Sequence, residues 1–236
     1  MGTLKRSSFL GASAIAAVAA TAACARSASE IGRVETAAEF DAKGFAAKVD
    51  RPADIRLVVD ASTMFPPILG AIMNALNGYQ FGFGIPANRI AIIAVMHGSA
   101  NLMLYNDDMW TRYDLGATFG ARDPNNNVIA SNIFAPSETT FVATDNPEDP
   151  RGSYHKAFVG TLQQRGAIFC ACNTALYEQA ESIAASGKSG GKNAREVADD
   201  LRANLVPETL LVPSGVAAVG LLQYRHRYAY VTETNG

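Results

Sequence analysis

Arg89-Ile90-Ala91-Ile92-Ile93-Ala94-Val95-Met96 is an almost uninterrupted apolar run of strand length. A strand with one wet face alternates apolar and polar residues, so a run like this one must be covered on both faces. It belongs in the middle of a parallel sheet between two layers of helices, and the rest of the chain can be read against that requirement. Ile55-Arg56-Leu57-Val58-Val59, Ala167 to Ala171, Thr209-Leu210-Leu211-Val212 and Tyr228-Ala229-Tyr230-Val231 supply further strands. Between them lie helical segments. Pro66-Pro67 opens one that puts Ile68, Leu69, Ile72, Met73 and Leu76 on one face before Asn77-Gly78 ends it. Others are read over residues 100 to 113, 154 to 164, from Cys172 to about Ala185, 194 to 205 and 216 to 224. Strands alternating with helices predict an α/β fold, a three-layer α/β/α arrangement on a five-stranded, mainly parallel sheet.

The first 25 residues read as a leader rather than as part of that fold. Lys5-Arg6-Ser7-Ser8-Phe9-Leu10 precedes a mildly apolar, alanine-rich run that ends in Ala23-Cys24-Ala25: a basic region, an apolar region and a small-residue cleavage site. The Lys-Arg-x-x-Phe-Leu pattern resembles a twin-arginine export signal with lysine in place of the first arginine, which implies a periplasmic or exported protein. Ala22-Ala23-Cys24 resembles the end of a lipoprotein box, with Thr21 where such boxes carry leucine, so a lipid anchor through Cys24 is the alternative. The run from Phe9 to Ala23 falls short of the roughly 20 residues a membrane span needs, and no span is expected. Residues 26 to 53 read as a linker with at most one short helix, and residues 54 to 236 as a single domain. Within it, residues 114 to 150 lose all periodicity and are rich in turn chemistry, as in Asp123-Pro124-Asn125-Asn126-Asn127, which predicts a long loop.

Charge narrows the partners. The net charge is −2, and more negative still without Lys5 and Arg6. The densest basic cluster, Arg225-His226-Arg227, is too short to follow a phosphate backbone, so nucleic acid is excluded. Gly187-Lys188-Ser189 invites a phosphate-loop reading, but Ser182 stands where that motif needs glycine and a helix stands where it needs a strand. No cofactor-binding motif is read.

In an open parallel sheet, ligands sit outside the carboxyl ends of the strands. Those ends bring Asp60-Ala61-Ser62, His97-Gly98-Ser99, Cys172-Asn173-Thr174 and Pro213-Ser214 to one edge. Cys172 follows an apolar strand and opens a helix, with Asn173 or Thr174 as the expected cap. Free N–H groups and the positive end of the helix dipole stabilise an anion there, which favours a thiolate. His97 is then a candidate to polarise or deprotonate Cys172. Asn173, Ser99 or backbone amides are candidates to bind a small anionic ligand, and Asp60, a candidate base, and Ser214 complete the ligand-binding candidates. Each has a plainer role open to it. His97 and Asp60 suit turns, and Cys170 suits packing. Cys170 and Cys172 share a strand face with their Cα atoms about 6.6 Å apart, near the upper limit for a bridge, so a disulfide between them would be strained. Cys170, Cys172 and His97 lack a fourth metal ligand, and no metal site is assigned.

These blocks carry a resemblance. His97-Gly98-Ser99-Ala100 after its strand, Gly166-x-x-Phe169-x-x-Cys172-Asn173-Thr174-Ala175-Leu176, and Val212-Pro213-Ser214-Gly215-Val216 leading to Tyr228-Ala229-Tyr230-Val231 resemble the DsrE/DsrF-like family in order and spacing, over about residues 51 to 236. The resemblance implies a five-stranded parallel sheet and homo-oligomers. It also implies, in some members, a cysteine that carries sulfane sulfur between a sulfur donor and an acceptor protein, a place that Cys172 fills. Two features depart from it: an export signal, where sulfur-relay members are mostly cytoplasmic, and the long 114 to 150 loop. A sulfur carrier or sulfurtransferase is therefore one expectation. A non-catalytic oligomeric module that binds a small ligand or another protein is the other.

Overall fold

The computed structural model describes residues 39–137, 140–142 and 144–232. The expected leader and Cys24 lie outside the described residues. Five strands form one sheet: β1 (Ile55–Ala61), β2 (Ile90–Met96), β3 (Ile168–Cys172), β4 (Leu210–Val212) and β5 (Ala229–Thr232), in the spatial order β4-β3-β2-β1-β5. Every neighbouring pair is parallel. Helices cover both faces, so the three-layer α/β/α architecture is the one the apolar runs require. All seven residues of β2 are buried, as its sequence demands. β5 is an edge strand and exposed throughout.

One face carries the larger core. Val59, Ala61, Ile92, Ala94, Met96, Phe169 and Ala171 point into it from the sheet. Helix α2 (Pro67–Asn77) seats Ile68, Leu69, Ile72 and Leu76 there, while Met73 packs at its margin. The opposite face pairs Val58, Ala91, Ile93, Val95, Cys170 and Val212 with Ala218, Val219 and Leu222. Helix α1 (Ala42–Val49) joins this second face. It falls in the stretch expected to be a linker, yet Asp41 caps it by accepting the Gly44 N–H at 2.9 Å, and Phe45 and Val49 are buried in the core. Two apolar side chains on one small helix face suffice to seat it, although the small and charged residues around them hide the pattern.

Other elements differ in detail. The segment expected as one helix from residue 100 is a 3₁₀ stretch over Gly98–Leu104 followed by α3 (Asp107–Arg112), because Asn106 caps a new helix through the Met109 N–H. Among the described residues of the region 114 to 150, α4 (Leu115–Phe119) is the one helix, and the rest is turns, isolated bridges and irregular chain. The region is anchored at Asn132, whose side chain donates to the Met103 and Tyr105 carbonyls and accepts from the Phe134 and Ala135 N–H groups. Ile129 and Phe134 are buried beside it. Next come α5 (Val159–Gln164), α6 (Asn173–Ala185), α7 (Ala194–Ala203) and α8 (Gly215–Tyr224). As the sequence suggests, α7 is capped by Asn193, with Glu196 completing a capping box.

Candidate functional site

β3 hands the chain to α6 on the larger core face, whereas β4 hands it to α8 on the opposite face. Neighbouring strands whose connections leave in opposite directions open a crevice at their carboxyl ends, the place where open α/β sheets bind ligands. Cys172, the last residue of β3, sits in that crevice.

Its sulfur is the cap of α6. Sγ accepts the Ala175 N–H at 3.4 Å, and across the crevice it accepts the Gly215 N–H, the first of α8, at 3.2 Å. The expected cap at Asn173 or Thr174 is thus displaced by one position, because the strand runs on until the thiol itself is aligned with the free amides. Ser214 caps α8 by accepting the Ala217 N–H at 3.5 Å. Main-chain donors from two helix starts therefore converge on one sulfur, and both favour negative charge there. The residue is 4% exposed. Cys170 has a different environment: fully buried among apolar side chains with no charge partner, its thiol is pushed up to about 12 by desolvation. Both cysteines are free.

His97 takes another direction. Its Nε2 lies 2.8 Å from Oδ1 of Asp60, at the end of β1, on the side of β2 away from β3. Tyr230 of β5 donates its hydroxyl to the other Asp60 oxygen at 3.0 Å, and Thr232 donates to the Asp60 carbonyl at 3.1 Å. Asp60 and His97 thus belong together, while no hydrogen bond joins His97 to Cys172. The two groups meet at Gly215. A Cβ built on Gly215 would stand 2.7 Å from His97 Cβ, so only glycine lets the start of α8 approach closely enough to reach the thiol.

Two candidates are committed elsewhere. Asn173 is fully buried and turned toward α7, where its Oδ1 accepts from Arg202 at 2.9 Å. Ser99 accepts the Met64 N–H at 2.9 Å and ties down the loop after β1. Behind the cysteine lies a buried polar group that the sequence reading passed over: Asn101, Tyr105 and Gln179. Its visible signal was a lone Asn in the apolar stretch Ala100-Asn101-Leu102-Met103-Leu104.

Among the described residues, no cluster of three or more His, Cys, Asp or Glu side chains is arranged to hold a metal, and no helix is long and apolar enough to cross a membrane. Gly187-Lys188-Ser189-Gly190-Gly191 has the Gly-x-Ser-x-Gly spacing of a nucleophile elbow, but it follows a helix instead of ending a strand. A cavity of about 1050 Å³ opens at the opposite, amino edge of the sheet, between Lys48, Arg51, Asp107, Gln163 and Val206. Its lining brings together no cysteine or histidine, and its charged groups are of mixed sign. The chemistry is therefore assigned to the carboxyl edge.

No family model matches the chain, and no curated protein matches it. Among solved structures, the chain is similar to a protein of unknown function, MTH1491 from Methanobacterium thermoautotrophicum, at 15% identity and a TM-score of 0.39, covering 76% of this chain and 100% of that one.

Proposed function

We propose that the protein carries sulfane sulfur on Cys172, as some of the DsrE/DsrF-like proteins it resembles do. The observation that carries this reading is the pair of main-chain N–H groups, from Ala175 and Gly215, that meet at Sγ. They stabilise a thiolate without a neighbouring base. The thiolate attacks the outer sulfur of a donor persulfide, R–S–SH. A new S–S bond forms, the donor bond breaks, and R–S⁻ leaves with the electron pair while the proton stays on the transferred sulfur. Passing that sulfur to an acceptor thiolate restores Cys172. His97, oriented by Asp60, lines the site and is not the base that activates the thiol. An exported location and a homo-oligomer belong to the same proposal.

The low exposure of Cys172 favours a second reading, a non-catalytic binding or interaction module with the cysteine as a packing residue. One measurement separates them. The full chain is incubated with inorganic polysulfide and weighed by intact mass. Sulfur carriage predicts a gain of about 32 Da that peptide mapping places on residue 172 in the wild type, and no gain at that position in Cys172→Ser. An unchanged wild-type mass leaves the module reading.

A further inference from the structure

The ladder between β2 and β3 ends at Met96 and Ala171. Cys172 lies one residue further, where β2 has no more carbonyls to offer. Its N–H is nevertheless buried and paired: it donates to Oδ1 of Asn101 at 2.9 Å. A side chain from the 3₁₀ stretch has replaced the missing strand.

That side chain has only one workable orientation. Asn101 Nδ2 donates to the Tyr105 hydroxyl at 2.9 Å and to Gln179 Oε1 at 3.3 Å, and the Tyr105 hydroxyl itself donates to Gln179 Oε1 at 2.6 Å. Gln179 Nε2 then donates to the carbonyl of Gly98, the residue after His97, at 2.8 Å. Every amide atom of Asn101 and Gln179 is engaged, and turning the Asn101 amide over would set its NH₂ against the Cys172 N–H. A buried polar network with a single consistent set of donors and acceptors holds its members in one arrangement. This one ties the N–H of Cys172 to the carbonyl of Gly98.

Resting on the sulfur-carrier reading, we infer that Asn101 is a positioning residue for Cys172: it holds the strand end so that the sulfur meets the Ala175 and Gly215 N–H groups together. Asn101→Leu keeps the branching and heavy-atom count of the side chain and removes the acceptor. The orphaned N–H then pulls the strand end toward another partner, and the sulfur loses its alignment. Tyr105→Phe removes another member of the same network but leaves the Asn101 to Cys172 bond.

The experiment measures three quantities on the full-length wild type and both variants: the rate of Cys172 alkylation by iodoacetamide against pH, sulfur uptake from inorganic polysulfide, and melting temperature. Asn101→Leu is expected to slow alkylation and uptake about tenfold and to move the alkylation profile to higher pH. Tyr105→Phe is expected to stay within about twofold in rate despite lower stability. Wild-type rate and profile in Asn101→Leu would overturn the inference. So would an equal loss in Tyr105→Phe, which would reduce the effect to stability alone. Should Asn101→Leu not fold, Asn101→Ala is read by the same criteria. If the wild type takes up no sulfur, the carrier reading falls, and the alkylation rates still decide whether Asn101 positions the thiol.

Discussion

Asp60 holds Nε2 of His97 at 2.8 Å on the β1 side of β2, while Cys172 ends the strand on the other side. The imidazole is thus oriented by a carboxylate that the thiol does not share. Asp60→Ala leaves both the His97 ring and the Tyr230 hydroxyl without their acceptor, and should cost about 1–2 kcal/mol in chemical denaturation. The Cys172 alkylation rate should change less than about threefold, because the thiol takes its hydrogen bonds from main-chain groups. A collapse of that rate in Asp60→Ala or His97→Ala would show that the imidazole activates the thiol after all.

Gly215 has no room for a side chain. Alanine would bring a Cβ to 2.7 Å from His97 Cβ and 3.1 Å from its Cγ. The start of α8 must then retreat from the sheet, lengthening the 3.2 Å contact from its N–H to Cys172 Sγ. The expected outcome for Gly215→Ala is a loss of about 1–3 kcal/mol in urea unfolding, together with slower thiol alkylation. Unchanged stability would mean that the helix start is not held against His97.

Cys170 predicts an alkaline weakness. Its thiol is pushed up to about 12 by burial, so the folded state keeps a proton that the unfolded chain gives up near the ordinary thiol value of 9.0. The unfolded state then binds fewer protons, and stability falls as pH rises from about 9 toward 12. Tyr105, likewise pushed up by burial, adds to the same slope. Unfolding free energies measured at neutral pH and above pH 9 should diverge in the wild type and less so in Cys170→Ala. Thiol labelling of the native protein should leave Cys170 untouched.

Asp200 should govern the acid side. Lys192, Tyr113 and Arg112 all donate to its carboxylate, and the Lys192 hydrogen bond, followed by that of Tyr113, holds the carboxyl below its usual value of 3.8. The unfolded chain binds that proton more readily, so the contribution is present at neutral pH and is lost as pH falls through the carboxylate range. Asp200→Asn is expected to lose about 1 kcal/mol at neutral pH and to show a flatter decline on acidification. Urea midpoints taken at neutral pH and near pH 4 test both.

The sheet was legible because its information is local. The apolar run of β2 forces coverage on both faces, and the Pro66-Pro67 opening and the Asn193 cap mark helix starts by residue type alone. Collecting the strand ends correctly brought Asp60, His97, Cys172 and Ser214 to one edge. Pairings within that edge were not legible, because they depend on strand order, and β1 lies on the far side of β2 from β3. Asn101 and Cys172 are 71 positions apart, and Asn101 and Gln179 are 78 apart, so no short window contains either bond. α1 was read too weakly for a related reason. Its worth depends on the groove that Phe45 and Val49 enter, and residues far along the chain build that groove.

The groups that hold the Cys172 sulfur are amides of residues 175 and 215, whose side chains, a methyl and a hydrogen, only have to be small. Position 215 must therefore stay glycine, while at 175 the amide is supplied by the main chain whatever small side chain the buried site admits, so the residue types say little of the donors themselves. Two proteins of this fold could hold a thiol between the same pair of amides while agreeing in little beyond a cysteine at the end of the third strand and a glycine at the start of the helix after the fourth.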